Sequence, residues 1–367
     1  EHLMFKGSAH VPDGKLDRLL ESAGGYSNAY TSNDSTVYYN VAASNFLEMM
    51  LWLDADRMAG LIETLEQTKL DNQRDVVRNE RRQSYENRPY GQAWLTIEKE
   101  LWPLGHGYHW PVIGYHKDLL AATLGDVSGF FRQYYRPANA VLVVAGDFAP
   151  QTARVLIEKY FAWIPSPPTP ARPTYAEPAP LGAQKRIVLN DKVEVPRVYL
   201  VWRGPPHYAQ DEAPLAAAAA VLASGKSSRL FKRLVYQDRI AQDVETSFEG
   251  QQLGGAFYVV ATAKPGVRAE ELLSAIDAEM ATLAKEAPTR AEVDRVKTVF
   301  ESATLSELQS LLSRAVRLAG YTVDKSDPNF LSQDLERYRR VAPADVARVV
   351  AKYLLPESSV VVIVNPG

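Results

Sequence analysis

The stretch Gly24-Gly25-Tyr26-Ser27-Asn28-Ala29-Tyr30-Thr31-Ser32-Asn33-Asp34-Ser35-Thr36-Val37-Tyr38-Tyr39 sets two β-favouring runs on either side of a polar turn. Ser27 to Thr31 and Thr36 to Val41 read as the arms of a hairpin turning at Asn33-Asp34. Asn and Asp tolerate turn geometry, whereas aromatic and β-branched residues suit a pleated surface. Upstream, Lys15 to Ala23 has helical spacing and stops at Gly24-Gly25, as expected where glycine closes a helix in the left-handed region. Downstream, Phe46, Met49, Met50, Leu53 and Met58 recur at helical spacing and read as core, not as a ligand site.

Working outward, the 367 residues exceed one ordinary hydrophobic core, so two domains are expected. The run from Ile164 to Pro173 is dense in proline and poor in apolar residues, which favours an extended linker. The expected division is a domain over 1–164, a linker over 165–182 and a second domain over 183–367. A repeat supports it. Asp126-Val127 leads a helix ending at Tyr134-Tyr135-Arg136-Pro137, followed by the apolar run Ala140 to Val144. Asp345-Val346 leads one ending at Tyr353-Leu354-Leu355-Pro356, followed by Ser359 to Val364, at the same offset throughout. In each copy an acidic residue suits the helix N-terminus, proline ends the helix, and an apolar run predicts a buried strand. In the second half, Arg197 to Trp202 and Phe257 to Ala261 read as strands, Ala213 to Leu222 as an Ala-rich helix, and Ala269 to Tyr321 as long helices. The expected class is α+β, two homologous domains, each a mainly antiparallel sheet packed with helices.

Composition narrows the function. A net charge of −3 without basic clustering argues against nucleic acid as a partner. No apolar run is long enough to span a bilayer as a helix. With no cysteine there are no disulfides and no thiolate ligands, so a zinc ion would need His and carboxylate. Compartment is left open.

The hairpin stretch resembles the signature of the pitrilysin or insulinase family, the zinc peptidases with an inverted His-x-x-Glu-His motif. Glu1-His2-Leu3-Met4-Phe5-Lys6-Gly7 resembles the end of that motif. Val76-Val77-Arg78-Asn79-Glu80 is similar to the helix bearing the family's distant glutamate ligand. Tyr108 to Gly114 and Gly225 to Phe231 match other family stretches. The resemblance implies that His2 and Glu80 are zinc ligands, that a third ligand is a histidine three positions before Glu1, and that Glu1 is the base. A hydrolytic zinc takes about three protein ligands and keeps a position open for water, whose proton a non-ligand carboxylate can accept. On local grounds alone Glu80 also reads as an exposed helix carboxylate paired with Arg78, Arg81 or Arg82.

Gln73 stands where the family usually has a glutamate behind the ligands, and would support an imidazole with less effect on its basicity. The resemblance makes Asn28, Ala29, Tyr30 and Thr31 the strand that pairs with substrate backbone, a mode with little demand on sequence. Arg314 and Tyr321, seven apart on a predicted helix, resemble the family's arginine-tyrosine pair, which acts from the half opposite the zinc and donates to the developing oxyanion. Their alternative reading is a solvated arginine beside an interface tyrosine. Two other patterns are set aside. His106 and His109 lie in a Gly- and Pro-rich loop, and Gly225-Lys226-Ser227 lacks the glycine a phosphate loop needs, Ala220 standing there.

The resemblance implies a zinc endopeptidase whose chamber needs four such domains, hence a homodimer or a heterodimer with a related non-zinc subunit. Its substrates are expected to be peptides or unfolded segments, with folded proteins resistant. The mild acidity of the first 164 residues leans toward basic peptides. The rival expectation is a non-catalytic, chamber-forming member of the same family.

Overall fold

The computed structural model describes residues 1–168 and 171–367, so Thr169 and Pro170 of the proline-rich run lie outside the described residues. The fold is α+β. Along the chain, α1 (Lys15–Ser22) leads into the strands β1 (Tyr26–Thr31) and β2 (Thr36–Val41), followed by α2 (Leu47–Gly60) and α3 (Gln67–Arg81). Next come α4 (Gln92–Leu101), α5 (His116–Ala121), α6 (Leu124–Tyr134) and α7 (Pro150–Phe161). The chain continues with β3 (Lys185–Asp191), β4 (Arg197–Gly204), α8 (Glu212–Ala223), β5 (Ala241–Gln251) and β6 (Gly254–Ala263). It ends with α9 (Ala269–Lys285), α10 (Arg290–Glu307), α11 (Leu311–Lys325), α12 (Leu331–Arg339), α13 (Pro343–Tyr353) and β7 (Ser359–Pro366).

Packing gathers these elements into two units. The first comprises Glu1–Glu80, Val112–Thr174 and Ser306–Asn329; the second comprises Arg81–Pro111, Tyr175–Leu305 and Phe330–Gly367. Contacts thus cut the chain in more places than one boundary at 165–182, because α11 and the stretch around α4 each pack away from their sequence neighbours.

The second unit is built on a five-stranded sheet in the order β3-β7-β4-β6-β5, with β3 and β7 parallel and the other pairs antiparallel. Alternate residues of β4 serve opposite faces, as the two-residue strand period requires. Val198, Leu200 and Trp202 pack with residues of α8, α9 and α13, while Tyr199 and Val201 pack with Ala93, Ile97 and Leu101 of α4. Both faces being covered, β4 runs apolar from Val198 to Trp202 and β7 from Val360 to Val364.

In the first unit the hairpin forms as the spacing predicts, with Thr31 opposite Thr36 and Tyr26 opposite Val41. Ser32 N–H donates to the Ser35 carbonyl at 2.8 Å and closes the turn. Gly24, at φ +67, ends α1 in the left-handed conformation anticipated for it. Small apolar clusters hold the unit: Val11, Leu16, Leu20 and Leu53 in one, and Met4, Leu61 and Phe131 in another.

One expected strand does not form. Ala140 to Val144 carries no ladder, and Val141 and Leu142 are 39% and 43% exposed. An apolar run becomes a strand only where a neighbour accepts its backbone hydrogen bonds. Its repeat partner β7 has neighbours on both edges, β3 and β4. Among the described residues, Ala140 to Val144 has none.

Candidate functional site

Glu1 and His2 sit at the start of a 3-10 turn, His2–Phe5. The turn is anchored from below. Met4 N–H donates to the Glu1 carbonyl at 3.0 Å, and the Met4 side chain, 4% exposed, packs with Leu61 and Phe131. The last full turn of α3 brings Glu80 alongside, so that His2 Nε2 lies 3.5 Å from Glu80 Oε2 with both side chains partly open to solvent. Two of the arginines that could have neutralised Glu80 are turned to other carboxylates. Arg78 donates to Asp75 at 3.0 Å and Arg81 to Glu86 at 2.9 Å.

That geometry can be tested against a metal. Two donors, each about 2.1 Å from one tetrahedral ion, stand about 3.4 Å apart. The imidazole nitrogen and the carboxylate oxygen match that edge, and both are donor types suited to zinc. Two donors do not complete a zinc ligand set, and no group of three or more His, Asp or Glu that could hold a metal gathers among the described residues.

Glu1 has its own support. The Thr31 hydroxyl, on β1, donates to Glu1 Oε2 at 2.5 Å and lies 3.1 Å from the Thr36 hydroxyl across the hairpin. Nearby, Tyr38 and Tyr135 share a hydroxyl hydrogen bond of 2.7 Å. Burial pushes both phenols above the ordinary tyrosine range, Tyr38 more strongly because Tyr135 adds to the effect, so both remain neutral hydroxyls. The Arg57 guanidinium lies 5.1 Å from the Tyr38 ring centre and 5.7 Å from that of Phe5, tying α2 to the hairpin and the turn. It also donates to Asp54, which accepts from Asn40 of β2 at 2.8 Å.

Thr36, Tyr38, Arg57 and Tyr135 escaped the sequence reading. The signal available was the strand period, which puts Thr36 and Tyr38 on one face and Thr31 directly opposite Thr36. Only the packing of α6 brings Tyr135 to them.

The other expected residues are placed as follows. Gln73 is buried on α3, two turns before Glu80. Asn28 to Thr31 lie on β1, which among the described residues pairs with β2 alone, leaving its other edge without a strand. Arg314 and Tyr321 are carried on α11, in the same packed unit as Glu1, His2 and Glu80. Arg314 is exposed, whereas Tyr321 is 2% exposed and its hydroxyl accepts from Arg317 at 3.3 Å. Arg317 was not anticipated, although its i, i+4 spacing to Tyr321 was legible. His106 is structural: it is buried, stacks on Trp102 at 4.5 Å and accepts from the Tyr108 N–H at 3.1 Å. His109 bonds the Trp102 carbonyl at 2.8 Å.

The chain is similar to known proteins along its whole length. A family model described as "Insulinase (Peptidase family M16)" matches residues 1–96, and one described as "Peptidase M16 inactive domain" matches residues 121–300. The zinc protease PqqE of Helicobacter pylori is 31% identical over 368 residues, covering 100% of this chain and 82% of that protein. The mitochondrial-processing peptidase subunit beta of Lentinula edodes is 24% identical over 378 residues, covering 96% of this chain and 77% of that one. The crystal structure of a protease from Helicobacter pylori matches with a TM-score of 0.92 at 30% identity, over 100% of this chain and 88% of that chain.

Proposed function

The chain belongs to the insulinase (M16) family of peptidases, and from that premise we propose that it is the catalytic type of subunit in a zinc-dependent endopeptidase. The observation that carries the reading is the 3.5 Å separation of His2 Nε2 and Glu80 Oε2, the spacing of two ligands on one ion. In this proposal His2 and Glu80 hold the metal with a histidine three positions before Glu1, and Gln73 backs them on α3. Zinc, when bound, supplies a Lewis-acid centre that makes water acidic enough to give up a proton near neutral pH. Glu1 accepts that proton at its carboxylate and hands it to the leaving amine. Asn28, Ala29, Tyr30 and Thr31 present the open edge of β1 to an extended peptide, whose main chain pairs with it in register. Arg314 and Tyr321 act on substrate in a two-subunit chamber made with a second copy or with a related non-zinc subunit.

Glu1→Gln tests the reading. It is expected to lower turnover of a fluorogenic peptide by about a thousandfold or more while leaving zinc content intact, since the amide cannot accept the proton. Wild-type turnover with confirmed metal would remove the base assignment. A second reading, a chamber-forming subunit without catalysis, draws on the match of residues 121–300 to an inactive-domain model. Zinc content at or below background in the full-length protein, together with no chelator-sensitive hydrolysis, would decide for it.

A further inference from the structure

Resting on the reading of Glu1 as the base, we infer that Thr31 is a positioning residue for it, through its side chain and separately from any backbone pairing of β1 with substrate. The Thr31 hydroxyl lies 2.5 Å from Glu1 Oε2 and 3.1 Å from the Thr36 hydroxyl. The Thr31 hydroxyl donates and the Glu1 carboxylate oxygen accepts. Its single proton is thereby committed, and in the second contact Thr36 is the donor. The acceptor at one end orders both hydroxyls, and each bond polarises the next.

The hairpin makes this possible because Thr31 and Thr36 are direct cross-strand partners, the last pair before the turn. Glu1 is then held at two points, by the 3-10 turn through its carbonyl and by β1 through its carboxylate. A glutamate with three rotatable bonds otherwise samples many positions, and proton transfer in a site of fixed geometry loses rate steeply with small displacements. The backbone amide and carbonyl of Thr31 are not consumed by this arrangement, so the residue can serve base and substrate at once.

The test uses the full-length zinc-loaded protein. Thr31→Val keeps the shape and strand preference of threonine and deletes only the hydroxyl. It is expected to lower kcat roughly ten- to a hundredfold, the range for losing one hydrogen bond to a charged group, with KM, zinc content and Tm unchanged. Thr31→Ser should restore most of the rate, and Thr36→Val should cost roughly two- to fivefold, less than Thr31→Val because it acts one bond further away. In a Glu1→Gln background, adding Thr31→Val should leave both the residual turnover and the Kd for an uncleaved peptide unchanged. Wild-type kcat in Thr31→Val, with Glu1→Gln inactive, would overturn this inference alone. A weakened peptide Kd in the double variant would also overturn it, by making the hydroxyl a substrate contact. Wild-type turnover in Glu1→Gln would bring down the base assignment as well.

Discussion

The two copies of the repeat behave alike up to one point and then part. Asp126 accepts from the Thr123 N–H at 2.8 Å at the start of α6, and Asp345 accepts from the Ala342 N–H at 3.0 Å at the start of α13. Both helices end a few residues before a proline, and both prolines open a short 3-10 turn, Pro137–Asn139 and Pro356–Ser358. Beyond the turn, Ser359 to Val364 become the buried part of strand β7, whereas Ala140 to Val144 stays without a ladder. Caps and helix ends are settled within a few residues, so they recur wherever the local sequence recurs. A strand is settled by what lies beside it, and only the second copy is flanked by β3 and β4. The unit with the large sheet has a broad two-faced core. The other holds the hairpin, the turn and α3, which carry the chemistry of the candidate site.

The largest effect on stability should fall on the sheet. Trp202 is 1% exposed and its indole N–H donates to the Leu355 carbonyl at 2.8 Å. Trp202→Ala is expected to cost about 3–5 kcal/mol in chemical denaturation, from the cavity and the lost indole hydrogen bond together. Peptide hydrolysis should follow the folded fraction, unlike Glu1→Gln, which should lose turnover without losing structure.

The repeat itself offers a finer comparison. Val141 and Val360 occupy equivalent positions but are 39% and 0% exposed. Val360→Ala should destabilise by about 2–3 kcal/mol and Val141→Ala by less than about 1 kcal/mol, the difference being the apolar area and cavity at stake. Equal losses in urea unfolding would mean that the first copy is packed as tightly as the second.

The last comparison is one of pH. Burial pushes the Glu98 carboxyl on α4 up to about 7, against a partial opposing pull from Arg81, and its Oε2 has no hydrogen-bond partner. Between the ordinary glutamate range and pH 7 the folded protein therefore holds a proton that the unfolded chain has released. Stability should fall as pH rises through that window, by on the order of 1–2 kcal/mol at pH 8 relative to pH 5. Glu98→Gln should flatten this part of the profile, as read by denaturation at both pH values. An unchanged slope would show that the carboxyl is solvated in the folded state.

Much of the molecule was legible in its residues. The hairpin, the α1 stop at Gly24, the helix under the methionine stripe and the strands and helices of the second half form where patterning predicts them. These are local outcomes of period, turn chemistry and capping. The candidate site was legible only in part. The resemblance singled out Glu1, His2 and Glu80, and nothing in their spacing said that the arginines around Glu80 would mostly turn elsewhere. Thr36, Tyr38 and Tyr135 were ordinary strand and helix residues until packing set them beside Glu1's support.

By itself, then, the chain's order of residues determined where helices start and stop, which runs are able to form strands, and which side chains have the chemistry for metal and proton transfer. Tertiary structure alone decided which apolar run obtained neighbours, which carboxylate came within 3.5 Å of His2, and which hydroxyl held Glu1. The physical reason is range. Caps, turns and side-chain periods act over a few bonds, whereas ladders, ligand pairs and hydroxyl chains join residues dozens of positions apart and exist only once the core has brought them together.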